Sequence, residues 1–296
     1  MNFFKRKYYQ ILTKYLQNKP NKVEEYLKSS YYLKNEKHLN IENPKEISEK
    51  IQWLKLNLYT EAYKDYVDKY EVRSHIKKVL GPEYLVDIIG VYDNVDDIDF
   101  ESLPNKFVMK GTHGSGYNVI VEDKASLDWQ KTKRELNKYL SLNYYDKYKE
   151  LIYKDIKPRI LVEHFLDQLS DAAIVDYKFL CFHGEPKYIY AKAEEDGIRK
   201  RSYYDMEWNK IELPSEKPNY LRRALDKPEN FDEMVETARK LAKDFIFIRV
   251  DLYSIQGKIY FGELTFFPKS GMKRVMSEPL NQIMGDLIQL PNEARA

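Results

Sequence analysis

A single cysteine in 296 residues, Cys181, excludes an internal disulfide and a cysteine-cluster zinc site, and points to a reducing compartment. Five histidines scattered along the chain disfavour a histidine-based metal centre. Long apolar runs are missing: stretches such as Phe107-Val108-Met109 are a few residues long, where a membrane-spanning helix needs about 20. Residues 1–20 lack the apolar core of a signal peptide. An excess of one charge is absent too. Lys and Arg number 49 against 47 Asp and Glu, which excludes a chain-wide basic footprint for nucleic acid. What is there is 43% apolar and 32% charged, the mix of a globular protein. The length suits one large domain or two ordinary ones. The expectation is a cytosolic, tyrosine-rich globular protein that has no nucleic-acid partner.

Charge is uneven along the chain. Residues 1–20 hold Lys5, Arg6, Lys7, Lys14 and Lys19 and no acid, while Phe3, Phe4, Tyr8, Ile11, Leu12, Tyr15 and Leu16 recur at helical spacing. Two readings stand for this basic amphipathic helix: peripheral contact with the inner face of a membrane, or packing on the domain with solvated lysines. Pro44 opens a helical segment with Ile47, Ile51, Trp53 and Leu54, and a second helix is predicted over about 61–79, ending at Gly81-Pro82. Tyr84–Tyr92 reads as a strand and Asp93–Asn105 as an acidic linker. Phe107–Lys110, a glycine loop and Asn118–Glu122 read as a hairpin, then 126–152 as a helix with Leu136, Leu140 and Leu151 on one face. Arg159–Leu166 reads as a strand. Val175–Phe182 with Lys187–Ala191, and Phe245–Tyr253 with Ile259–Thr265, read as hairpins around a helix at Phe231–Lys243. Antiparallel hairpins mixed with helices predict an α+β fold and disfavour a doubly wound parallel sheet.

Three constellations are candidates to carry chemistry. Lys110 precedes Gly111-Thr112-His113-Gly114-Ser115-Gly116, where glycines let backbone N–H groups approach phosphate oxygens. No Gly-Lys-Ser/Thr and no helix follow, so this is not a Walker A loop, and a plain hairpin turn is the competing reading. Arg249 and Asp251 share one strand face, as do Glu263 and Thr265. Were the two strands paired, the acids would converge, and converging carboxylates are relieved by a hard cation such as Mg²⁺. A solvent-facing charge alternation is the alternative. Asp176 and Lys178 form the third set, either a phosphate-facing cation or an exposed ion pair. Cys181, mid-strand among apolar residues, reads as core.

The order of these elements resembles the ATP-grasp superfamily and, over residues 30–290, the TupA-like ATP-grasp family of bacterial surface-polymer biosynthesis. The resemblance rests on Asn43-Pro44 with Glu49–Leu54, Asp68-Lys69-Tyr70 with Val72-Arg73, and Leu103-Pro104 with Phe107–Lys110. It continues through His113–Gly116, Pro158-Arg159-Ile160 with Glu163, Asp176–Phe179, Arg249–Tyr253 and Gly262–Thr265.

That resemblance implies an ATP-grasp fold, two α+β subdomains gripping ATP between antiparallel hairpins, with an N-terminal helical segment. The implied boundaries are 1–60, 61–105, 106–165 and 166–296. Lys69 and Lys110 are implied to meet ATP phosphates and Thr112, His113, Gly114, Ser115 and Gly116 to form the loop over them. Glu163 and the His164-Phe165-Leu166 backbone are implied to hold adenine. Asp167 or Asp171 is implied to meet the ribose. Lys178 would face phosphate or an acyl phosphate, and Arg249 would steady the oxyanion. Asp251 and Glu263 are implied to bind Mg²⁺, with Thr265 where the superfamily has Asn. The implied activity is ATP-dependent carboxylate–amine ligation through an acyl phosphate, on a small amine and a carboxylate-bearing glycan or peptide. A glycosyltransferase of the same pathway is the alternative. Arg199-Lys200-Arg201 is either a site for an acidic substrate or a solvated loop.

Overall fold

Apolar residues spaced at three and four make the N-terminal third helical. The computed structural model describes residues 3–166, 174–212, 219–272 and 279–291. In it, α1 (Phe3–Leu16) lies against α2 (Val23–Asn35). Leu16, Tyr26, Leu27 and Tyr31 join Leu39 and Met272 there in a small core. α3 (Ile47–Asn57) starts just beyond Pro44, where Glu46 and Glu49 cap it reciprocally. The helix expected over 61–79 is divided into a 3₁₀ segment (Glu61–Tyr66) and a shorter α4 (Val72–Val79). Asp68 sits between them and accepts hydrogen bonds from the Tyr70 and Glu71 amides at 2.7 and 3.1 Å.

A first sheet has four antiparallel strands, β1 (Ile88–Tyr92), β2 (Phe107–Gly111), β3 (Asn118–Val121) and β4 (Ile160–His164), in the order β1-β4-β2-β3. The acidic stretch before β2 is anchored rather than free: Val95, Ile98 and Leu103 are buried with Phe107, Met109, Leu136 and Val162. The helix expected over 126–152 breaks into α5 (Trp129–Leu140) and α6 (Tyr144–Tyr148). The Asn143 side chain caps α6 by accepting from the Tyr145 amide, and Lys149 ends it in the left-handed region.

The second sheet has six antiparallel strands in the order β10-β9-β5-β6-β7-β8. They are β5 (Asp176–Phe182), β6 (Glu185–Glu195), β7 (Ile198–Tyr204), β8 (Lys210–Ile211), β9 (Phe247–Ile255) and β10 (Lys258–Thr265). His183-Gly184, Asp196-Gly197 and Gln256-Gly257 connect its hairpins, each with positive φ at both residues as type I′ turns require. The Arg199-Lys200-Arg201 segment is thus strand β7 rather than loop; the Asp-Gly turn before it is the local signal for that strand. α7 (Phe231–Ala242) buries Phe231, Met234, Ala238 and Leu241 against this sheet, and α8 (Leu280–Asp286) packs on α3. α3 shares one large core with the second sheet, while α1 and α2 have their own. Cys181 is fully buried within β5, and burial pushes its thiol pKa up, away from reactivity. Among the described residues no helix is long and apolar enough to cross a membrane.

Candidate functional site

Strand alternation starts the site and register completes it. Arg249 and Asp251 on β9, and Asp176 and Lys178 on β5, lie two apart and so project to one face. Lys178 stands opposite Asp251 on one side of β9, and Glu263 stands opposite Asp251 on the other. A register shift at Gly262 sets the second pairing; a Cβ at Gly262 would come within 3.0 Å of the Asp251 carbonyl oxygen.

Arg249 is the hub. Its Nε and Nη2 donate to Asp251 Oδ1 and Oδ2 at 2.6 and 2.7 Å, a two-pronged ion pair. Nη2 also donates to Glu263 Oε1 at 2.5 Å and Nη1 to the Tyr190 hydroxyl at 3.1 Å. Lys178 pairs with Asp176 at 2.7 Å and with Asp251, and the Thr265 hydroxyl donates to Glu263 Oε1 at 2.8 Å. Burial opposes the charge on Lys178, but Asp251 and Asp176 outweigh it and its pKa is raised. Burial lifts Asp251 to about 6 against the pull of Arg249 and Lys178. Burial would lift Glu263 as well, but Arg249, Lys178 and Lys69 overcome that and hold it at about 2. Both carboxylates are therefore ionised at neutral pH.

The first sheet contributes the facing wall. Lys110 on β2 pairs with Glu163 on β4 at 2.5 Å, and Arg73 Nη1 reaches the other Glu163 oxygen at 3.2 Å. Glu163 is thus committed to two cations; His164, Phe165 and Leu166 continue the wall. Lys69 ties the glycine loop down: its amide donates to the Thr112 carbonyl at 3.1 Å and its ammonium to the Gly114 carbonyl. Of the five loop residues expected over phosphates, Gly114 and Ser115 line the cleft. Thr112 and His113 are buried, and His113 Nε2 faces the Tyr139 carbonyl at 2.9 Å. Asp167 and Asp171 lie outside the described residues.

Both sheets line one cleft of about 1470 Å³. Among the described residues that line it, eleven are Lys or Arg and seven are Asp or Glu, a local cationic excess that the near-neutral whole-chain charge conceals. Arg199 and Arg201 face it, whereas Lys200 between them pairs with Glu195 at 2.8 Å. At the other end Thr13, Tyr26, Ser30 and Lys34 show that α1 and α2 form part of the wall. Glu150 is buried there near Lys55, which donates to the Ser270 carbonyl and hydroxyl oxygens at 2.6 and 2.8 Å. Burial lifts Glu150 to about 7, opposed by Lys55 and the Ser270 side chain. Tyr190, Lys55 and Glu150 were not anticipated from sequence, because no local pattern marks them, and Arg73 was noted only within the Val72-Arg73 match, without a site role; the register that sets Tyr190 beside Lys178 is a tertiary fact.

Among the described residues no three His, Cys, Asp or Glu side chains form a ready-made metal cage. The donor set still fits Mg²⁺, which binds through one or two carboxylates and completes its shell with water and phosphate. Glu263 opens into the cleft, its side chain 39% exposed, while the Asp251 side chain at 2% is held by Arg249 and Lys178. Glu263 is the more accessible of the two carboxylates, and Asp251 would have to give up one of its cation contacts to ligate a metal.

Two antiparallel sheets closing on a cleft of lysines, arginines and carboxylates define a grasp architecture. The chain belongs to the TupA-like ATP-grasp family, whose model matches residues 49–289. No curated protein matches its sequence. Among solved structures it is similar to D-alanine–D-alanine ligase from Bacillus anthracis complexed with ATP (16% identity, TM-score 0.44, 75% of this chain and 64% of that one). It is also similar to D-alanine–D-alanine ligase from Helicobacter pylori (14%, 0.44, 83% and 70%). A third is N5-carboxyaminoimidazole synthetase from Staphylococcus aureus (14%, 0.41, 74% and 50%). The chain thus spans just under two thirds of the first of these and half of the third.

Proposed function

We propose that this protein is an ATP- and Mg²⁺-dependent ligase that joins a carboxylate to an amine through an acyl phosphate. The carboxylate belongs, in this proposal, to a glycan or peptide of a bacterial surface polymer, and the amine is a small molecule. One observation carries the reading: Lys69, Lys110, Lys178 and Arg249 line the same cleft as Asp251 and Glu263. A polyphosphate needs cations at fixed positions, and a coordinated metal needs hard oxygen donors beside them.

In the first step a carboxylate oxygen attacks the γ-phosphorus, the bond to the bridging oxygen breaks, and ADP leaves. In the second the amine nitrogen attacks the acyl carbon, phosphate leaves, and the amine proton is released. Lys69 and Lys110 hold the phosphates, with Gly114 and Ser115 above them. Phe165 and its neighbours on the first sheet hold adenine. Lys178 and Arg249 offset the charge that develops on the transferring group and the acyl oxygen, and their acid partners keep them in place beforehand. Mg²⁺, when bound by Asp251 and Glu263 with Thr265 beside them, supplies neutralisation of the phosphate charge.

Thermal unfolding with ADP or UDP, each with Mg²⁺, tests the site, because a ligand of the native state raises the midpoint. The expected result is a rise with ADP that is lost in Lys110→Ala. A rise with UDP alone would instead favour a glycosyltransferase and overturn the proposal. The reaction class is tested by ADP and phosphate release, expected when carboxylate and amine are both supplied.

A further inference from the structure

α1 has two apolar faces, and one of them is covered. On the covered face Tyr9 stacks on Tyr32 at 4.2 Å, Thr13 Oγ1 hydrogen-bonds Ser29 Oγ at 2.7 Å, and Leu16 is buried. On the opposite face Phe4, Tyr8, Ile11 and Tyr15 follow one another at intervals of four, three and four, which makes a single stripe along the helix. Their exposures are 78%, 60%, 62% and 62%. Isolated exposed apolar residues need no explanation, but a contiguous stripe of them marks an interaction surface.

Charge identifies the occupant. Lys7 and Lys14 are exposed and flank the stripe seven residues apart, and the first 20 residues hold five cations and no acid. A second copy of this chain would set the same lysines against each other, a repulsive arrangement. An anionic surface is complementary to them. Tyrosine rings also suit a boundary that is apolar on one side and wet on the other.

We propose that this stripe docks the protein on an anionic lipid bilayer. α1 lies in the plane of the surface, with Phe4, Tyr8, Ile11 and Tyr15 at the boundary between headgroups and acyl chains. Lys7 and Lys14 meet the lipid phosphates and carboxylates. Thr13, on the covered face, lines the cleft. Docking therefore sets that end of the cleft about one helix diameter, ~10 Å, from the membrane surface.

Co-sedimentation of the full chain tests this, with vesicles of phosphatidylcholine alone and of phosphatidylcholine mixed with phosphatidylserine. The expected result is pelleting with the mixed vesicles and not with phosphatidylcholine alone. Lys7→Gln/Lys14→Gln should weaken it by roughly 30-fold, taking ~1 kcal/mol per cation near such a surface. Ile11→Ser/Tyr15→Ser should weaken it too. Unchanged thermal midpoints in both variants would separate lost docking from lost folding, because the replaced side chains are exposed. Failure of the wild type to pellet with mixed vesicles would overturn the proposal. So would equal pelleting of wild type and variants, or a concentration-dependent dimer that Ile11→Ser/Tyr15→Ser abolishes.

Discussion

Replacing Glu263 by glutamine removes one charge from the Arg249 cluster and keeps its shape. In the folded protein Glu263 is held at about 2 against an ordinary value of 4.5. At 1.36 kcal/mol per pKa unit, that displacement corresponds to at most ~3 kcal/mol of favourable interaction with Arg249, Lys178 and Lys69. The side chain is 39% exposed, so solvent screens the pair and the expected loss falls to roughly 1–2 kcal/mol. The pH dependence has a definite sign. A carboxylate whose folded pKa is depressed stabilises the fold above its unfolded pKa, and that contribution is lost as pH falls toward the folded one. Urea denaturation of wild type and Glu263→Gln should therefore give a gap at neutral pH that narrows as pH falls from 4.5 toward 2. The variant is expected to stay folded at neutral pH, so the loss of Mg²⁺-dependent ADP binding expected under the proposed function can be read separately. Equal stability at neutral pH, or a gap that ignores pH, would refute the electrostatic account of this cluster.

Lys178→Met should cost more, about 3–5 kcal/mol, because it strips Asp176 of its cation in a buried site and leaves Asp251 to Arg249 alone. Asp251, already lifted to about 6, would rise further, so the folded variant takes up its proton at a higher pH than wild type and the deficit should shrink as pH falls toward about 6 and then level off; a pH-independent deficit in denaturation midpoints would contradict that. Gly285→Ala would put a methyl group 2.0 Å from the Lys45 carbonyl oxygen and force α8 away from the start of α3. The expected loss is about 1–3 kcal/mol with nucleotide binding kept, and hydrogen exchange should accelerate in α8; wild-type protection there would sink the packing argument.

Much of the site follows from local rules. Side chains two apart on a strand share a face whatever surrounds them, so Arg249 with Asp251 and Asp176 with Lys178 were legible as pairs. The hairpins at His183-Gly184 and Gln256-Gly257 were legible for the same kind of reason, since those turns need positive φ. Helix length was less legible. Residues 126–152 carry a helical apolar pattern, yet the Asn143 cap divides them, and a cap competes with the helix on terms that periodicity does not weigh. Likewise the acidic residues of 93–105 concealed Val95, Ile98 and Leu103, which are core.

Composition and short-range pattern by themselves determined the α+β class, the absence of disulfide chemistry, the amphipathic α1, and the residue types needed to hold a polyphosphate. These depend on each residue and its near neighbours in the chain. Tertiary structure alone decided that Arg249 joins Asp251, Glu263 and Tyr190, that Glu163 is shared by Lys110 and Arg73, and that α2 walls one end of the cleft. It also decided which apolar face of α1 is covered. Those outcomes turn on register and packing between segments far apart in sequence, where burial and charge pairing are settled only when the whole chain has closed.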